Sequence, residues 1–137
     1  MRRRFDPGRY PHSKLTEQTI GAAIEVHRAL GPGYLESIYE AALFHELTLR
    51  GLKVERQRKL EVVYKGVLVG SHRADLIVNE LVLVELKAVE KLMPVHSAQV
   101  ISTLKTGGLD VGLLINFNEA VLTGGGEKRI AASDLRS

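Results

Sequence analysis

Three side chains stand out for the chemistry they could do together: Asp75, Glu85 and Lys87. Glu85 and Lys87 are two residues apart in the otherwise apolar segment Leu81–Val89, so on a strand they project from the same face. A carboxylate and an ammonium interrupting such a segment need compensation, because burying either one unpaired is costly. An ordinary Glu-x-Lys finds it in an edge-strand ion pair or a solvated strand end. Asp75, ten residues before Glu85, offers another route. A regular two-residue turn at Asn79-Glu80 would set Asp75 opposite Val84 and put the two acids on opposite faces. A three-residue connection (Asn79 to Leu81) or a one-residue bulge would set Asp75 opposite Glu85. With that geometry two carboxylates converge beside a lysine, and such oxygen-only donors suit Mg²⁺ or Mn²⁺ rather than zinc.

The elements that must position these residues follow from the apolar periodicity. Leu15 to Leu30 reads as a helix with Ile20, Ala23, Ile24, His27 and Leu30 on one face, Thr16 as its N-cap and Gly31-Pro32-Gly33 as its stop. A second helix is expected from Leu35 to Arg50, with Leu35, Ile38, Tyr39, Ala42, Leu43 and Leu47 as its stripe and Gly51 at C′. After Gly51 the period becomes that of strands: Leu52 to Tyr64, a tight turn at Lys65-Gly66, Val67–Val69, Arg73–Val78 and Leu81–Ala88. The last of these is apolar on both faces and so is central. Met93–Thr106 is expected as a third helix, with Pro94 in its first turn, Ala98, Ile101 and Leu104 inward, and Gly107-Gly108 closing it. Val111–Phe117 is a further buried strand. Residues 118–137 read mostly as loop, with a short edge strand at Lys128-Arg129-Ile130. The order ααββββαβ describes a mixed sheet with helices packed against it. Residues 1–14 read as a flexible basic arm and residues 15–137 as one domain.

Asp75 with Glu85-Leu86-Lys87 resembles the D…(D/E)-x-K signature of the PD-(D/E)XK nuclease superfamily. The segment Gly33-Tyr34-Leu35-Glu36-Ser37-Ile38-Tyr39 is similar to the motif that names the GxxExxY family within it, and a following helix carries Gln99. The resemblance spans about residues 15–117. It departs from the pattern at Ala74, where proline often precedes the first aspartate. It implies a restriction-endonuclease-like α/β fold with an αβββαβ core, a mixed central sheet flanked by helices, and an extra N-terminal helix. It also implies Mg²⁺- or Mn²⁺-dependent hydrolysis of phosphodiester bonds in a nucleic acid, with DNA ahead of RNA. By the same resemblance Asp75, Glu85 and the backbone carbonyl of Leu86 would hold the metal, with Glu36 a further, water-mediated ligand. Lys87 would orient the attacking water or neutralise developing charge, and Gln99 would bind water or phosphate. The alternative is a catalytically inactive nucleic-acid-binding or protein-interaction module with the same fold.

Ordinary roles are also open to several of these residues. Glu36 in a first helical turn is favoured by the helix dipole alone. Tyr39 reads as a core aromatic with a satisfied hydroxyl, and His96, on the face of Gln99, as a surface residue.

Composition limits the rest. The 137 residues contain no cysteine, which excludes disulfides, thiolate zinc sites and the four-cysteine iron–sulfur cluster that some superfamily relatives carry. No His-Glu-x-x-His spacing is present, and Gly124-Gly125-Gly126 opens no helix, so it is not a phosphate loop. A net charge of +3 permits a polyanionic partner without demanding one. Arg2, Arg3, Arg4 and Arg9 form one basic group; Lys53, Arg56, Arg58, Lys59, Lys65, His72 and Arg73 form another, either a phosphate-facing rim or a solvated strand surface. The basic start is not followed by the apolar stretch of a signal peptide, and no run approaches a membrane span, so a cytoplasmic protein is expected. A chain of this length leaves no room for a separate recognition domain, so a homodimer or protein partner is expected to supply any strong specificity.

Overall fold

The computed structural model describes residues 10–134. Helix α1 (Ser13–Leu30) starts two residues earlier than the periodicity suggests. Its N-cap is His12 in a left-handed conformation, with no side-chain cap. Thr16 is therefore not the cap: it lies inside the first turn, its hydroxyl donating to the Ser13 carbonyl at 2.9 Å. The first nine residues of the expected arm lie outside the described residues.

Helix α2 (Glu36–Leu49) ends as its sequence prescribes. Gly51, at φ 80°, takes the left-handed turn, and the Leu52 amide donates back to the Leu47 carbonyl at 3.1 Å, the Schellman pattern. Its stripe is narrower than expected. Tyr39, Leu43 and Leu47 are buried, whereas Leu35 and Ile38 are exposed, because the helix meets the sheet only past its first turn.

The strands are β1 (Val54–Tyr64), β2 (Val67–Val78), β3 (Val82–Lys87), β4 (Val111–Asn116) and β5 (Glu127–Ala131), with α3 (Pro94–Gly107) between β3 and β4. They form one sheet in sequence order. Neighbours are antiparallel except for β3 and β4, which are parallel across the α3 connection. Val67–Val69 and Arg73–Val78 are one continuous strand: Gly70 and Ser71 stay in the ladder opposite Val62 and Glu61. The short edge strand foreseen around Lys128 is β5.

Two apolar layers enclose the sheet. On one side Leu76, Val78, Val82, Val84, Leu86, Leu113 and Ile115 pack under α1 and α2, where the Tyr39 and Phe117 rings stack with centroids 4.6 Å apart. On the other, Ala74, Ile77, Leu83 and Leu114 pack under Val100 and Leu104 of α3. Gly112 brings α3 close to the sheet, since a Cβ there would lie 2.9 Å from Val100 Cγ1. The inward face of α3 is thus Val100, Thr103 and Leu104; Ala98, expected to face inward, is exposed. Among the described residues no helix is long and apolar enough to cross a membrane.

Candidate active site

The connection from β2 to β3 decides where the acids fall, and it has three residues. Val78 pairs with Val82, Ile77 with Leu83 and Leu76 with Val84, which leaves Asn79, Glu80 and Leu81 in the turn. Asn79 and Glu80 both have positive φ, at 51° and 60°. Asn tolerates that region better than most residues. The turn is also tied to the start of β1: the Asn79 amide donates to the Lys53 carbonyl, and the Lys53 amide donates to Asn79 Oδ1. Glu80 is held by Arg58 at 2.7 Å and Lys53 at 3.6 Å. In this register Asp75 falls opposite Glu85, but the ladder stops one pair short, at Leu76–Val84.

From that point β2 continues with β1 alone as a two-stranded ribbon to the Lys65-Gly66 turn, and β3 runs on beside β4. The fork between them is filled by Asp75. Its Oδ2 accepts the Leu86 amide at 2.9 Å, where a strand carbonyl would otherwise stand, and its Oδ1 accepts from Gln57 Nε2 at 3.3 Å.

Glu85 and Lys87 emerge from β3 on the α3 side, half-buried. The Glu85 carboxyl is pushed up to about 9, first by burial and then by the neighbouring Asp75 carboxylate, with Lys87 acting in the opposite sense. Neither Glu85 nor Lys87 enters an ion pair among the described residues, so the two do not neutralise each other as an edge-strand pair would.

Asp75, Glu85 and Lys87 line a cleft of about 340 Å³. Glu36, the first residue of α2, reaches it from one side; His96, Gln99 and Thr103 reach it from α3, and His72 and Arg73 from β2. All five side chains singled out in the sequence therefore meet one cavity. Glu36 and Gln99 are exposed there. Glu36 is presented by a loop tied down by Tyr39, whose buried hydroxyl donates to the Gly31 carbonyl at 2.5 Å and accepts the Tyr34 amide at 3.1 Å. His96 accepts the Met93 amide on Nδ1 at 2.8 Å, closing the first turn of α3.

The donor set suits a hard divalent cation in kind, since two carboxylates crowd a desolvated spot where their like charges raise the Glu85 pKa. As the side chains stand, no group of three or more His, Asp or Glu residues among those described is close enough to hold a metal ion.

Gln57 and Glu40 are contributors that no local sequence signal marks. Gln57 touches Asp75, and behind it Glu40 is buried and paired with Arg56 at 3.1 Å. His72 Nδ1 lies 3.3 Å from the Thr103 hydroxyl, and its buried Nε2 has no hydrogen-bond partner. Glu55-Arg56-Gln57-Arg58-Lys59 looks like a solvated polar strand, and only the register places Gln57 beside Asp75. Three of the seven members of the second basic group are paired internally: Arg56 with Glu40, Arg58 with Glu55 and Glu80, Lys53 with Glu80. Of its members, His72 and Arg73 line the cleft.

A mixed sheet that forks at an acid, with a second acid and a free lysine at the fork and helices on both faces, defines an α/β domain of the restriction-endonuclease-like class. The chain belongs to the PD-(D/E)XK nuclease superfamily, whose family model matches residues 13–130. Comparison with curated proteins and with solved structures gave no match.

Proposed function

We propose that the protein is a metal-dependent nuclease that hydrolyses phosphodiester bonds, with DNA as its substrate. One observation carries this reading: Asp75 and Glu85 converge beside an unpaired Lys87 in the cleft that Glu36 and Gln99 also line. Mg²⁺ or Mn²⁺ would be held by Asp75, Glu85 and the Leu86 carbonyl, with Glu36 acting through water. Such an ion, when bound, acidifies water and stabilises charge on a phosphoryl oxygen.

The chain's own side chains do the rest. Lys87 sits on the same face as Glu85, two residues on, and carries the positive charge that offsets the negative charge developing on the scissile phosphate. Gln99 and Arg73, which both line the cleft, donate hydrogen bonds to phosphate oxygens. The Leu86 amide fixes Asp75, so the carboxylate need not reorganise when substrate arrives. The Gly33-x-x-Glu36-x-x-Tyr39 segment supports placement in the GxxExxY family: Tyr39 locks the loop and Glu36 is delivered at its end. We further propose one nuclease domain over residues 15–137, a cytoplasmic location, and a second copy or protein partner as the source of specificity.

The test is cleavage of supercoiled plasmid, linear duplex and single-stranded DNA with Mg²⁺ or Mn²⁺, wild type beside Lys87→Ala. Cleavage should require metal and fall by about 10²–10³-fold in the variant, the usual loss for one preorganised electrostatic contact, while Mn²⁺ binding measured by calorimetry persists. Equal cleavage by both proteins, or Mn²⁺ binding with no cleavage of any substrate, would overturn the reading. The second outcome would favour a binding module.

A further inference from the structure

We infer that Gln57 is a positioning residue for Asp75, held in a strained backbone conformation to do so; this rests on reading Asp75 as a site acid. Gln57 lies in the interior of β1 with φ 52°, a left-handed conformation that a residue with a side chain adopts only under constraint. The ladder is paired on either side, Arg56 opposite Leu76 and Arg58 opposite Ala74, so this break is confined to the Gln57–Asp75 position, apart from the bulge further along at Val62/Val63.

The ribbon rolls over at that point. Val54, Leu76 and Val78 pack with the α1/α2 layer, while Leu60 and Ala74 pack with the α3 layer. Leu76 and Ala74 are two residues apart and should share a face on a regular strand, but they do not. Asp75 occupies the step, which is why its carboxylate points across the fork to β3.

A kink that only bent the ribbon would be met with least strain by glycine. Glutamine is there instead, and both hydrogens of its side-chain amide are committed. Nε2 gives one hydrogen to Glu40 Oε1 at 2.5 Å and the other to Asp75 Oδ1 at 3.3 Å. Glu40 is buried in α2, one turn after Glu36, and its other oxygen takes both Nε and Nη2 of Arg56. The Gln57 amide is therefore anchored on an ion-paired carboxylate and holds one oxygen of Asp75, while the Leu86 amide holds the other. This chain ties the helix that carries Glu36 to the strand that carries Glu85, and Asp75 is oriented between them.

Gln57→Gly in the full chain separates strain from positioning. Glycine relieves the φ constraint and removes the amide. Hydrogen exchange followed by NMR should show the Leu86 amide exchanging at least about tenfold faster, because its acceptor is no longer fixed from behind. The Phe117 amide, which donates to the Lys87 carbonyl, should stay within about twofold. Mn²⁺ affinity should fall by about 10–100-fold, the range for losing a group that orients a ligand. If Gln57→Gly fails to fold, Gln57→Asn takes its place: it tolerates the same φ and is one methylene too short to bridge Glu40 and Asp75. Unchanged Leu86 exchange in a folded variant overturns the inference, whatever the activity. A wild type that binds no Mn²⁺ overturns the metal-dependent reading instead, and Leu86 exchange still decides the role of Gln57.

Discussion

Glu85→Gln should make the metal-free protein more stable, and by an amount the site itself sets. The Glu85 carboxyl rises from its ordinary 4.5 to about 9 because burial and Asp75 both oppose its charge. A raised acid binds its proton more tightly folded than unfolded. Its stability contribution is therefore fully present below pH 4.5, falls as pH rises above that, and levels off near pH 9. At pH 7 the loss extends over two and a half pH units at about 1.4 kcal/mol each, roughly 3 kcal/mol. Glutamine has nearly the same shape, carries no charge at any pH, and can donate to Asp75 as the protonated acid does. Urea denaturation without metal should give the variant an advantage of about 2–3 kcal/mol at pH 7, shrinking to nothing near pH 4.5 and widening toward pH 9. Added Mn²⁺ should stabilise the wild type and leave the variant unmoved, by the linkage between binding and folding. Equal stability of the two proteins from pH 5 to 9 would refute the claim that Asp75 and a desolvated Glu85 share one site.

Two further substitutions test the frame around the cleft. Tyr39→Phe keeps the stacking on Phe117 but orphans the Gly31 carbonyl and the Tyr34 amide, and should lower stability by about 1–3 kcal/mol in chemical denaturation; an unchanged midpoint would remove Tyr39 from the loop's support. Gly112→Ala drives a methyl to 2.9 Å from Val100 Cγ1 and 3.4 Å from Leu104 Cδ2, and should cost about 1–3 kcal/mol by lifting α3 and the Gln99 it carries; a melting temperature at the wild-type value would contradict that packing.

Much of this arrangement is legible in the sequence because local rules set it. The three helices fall within two residues of their periodic expectations, since Gly31, Gly51 and Gly108, all at positive φ, stand at their ends. Leu81-Val82-Leu83-Val84 announces a central strand because both faces of β3 are covered, although Leu81 itself stays in the turn. The two-residue and three-residue connections could not be separated in advance. Asn79-Glu80 suits a tight hairpin by composition, and the longer turn is selected by bonds to Lys53 and Arg58, which are distant in the chain. The stripe of α3 departs from its periodicity at Ala98 for a similar reason: Gly112, on a later strand, chooses which face of the helix approaches the sheet.

What the sequence conceals most completely is the polarity behind the site. Glu40 and the run Glu55 to Lys59 carry five charges, and nothing in their composition distinguishes a solvated strand from one that braces the site. The distinction lies in geometry. Once Gln57 turns left-handed, β1 and β2 exchange faces, and one amide reaches from a buried carboxylate in α2 to Asp75. An acid at an ordinary ladder position would project to one face of the sheet and leave its strand paired. Here the strands must part for Asp75 to reach the Leu86 amide, and their parting opens the cleft that Lys87, Glu36 and Gln99 line. The irregularity in β1 thus accompanies the fork, because a regular β1–β2 ribbon would keep Ala74 and Leu76 on one face and leave Asp75 in the ladder opposite Glu85, without its bond to the Leu86 amide.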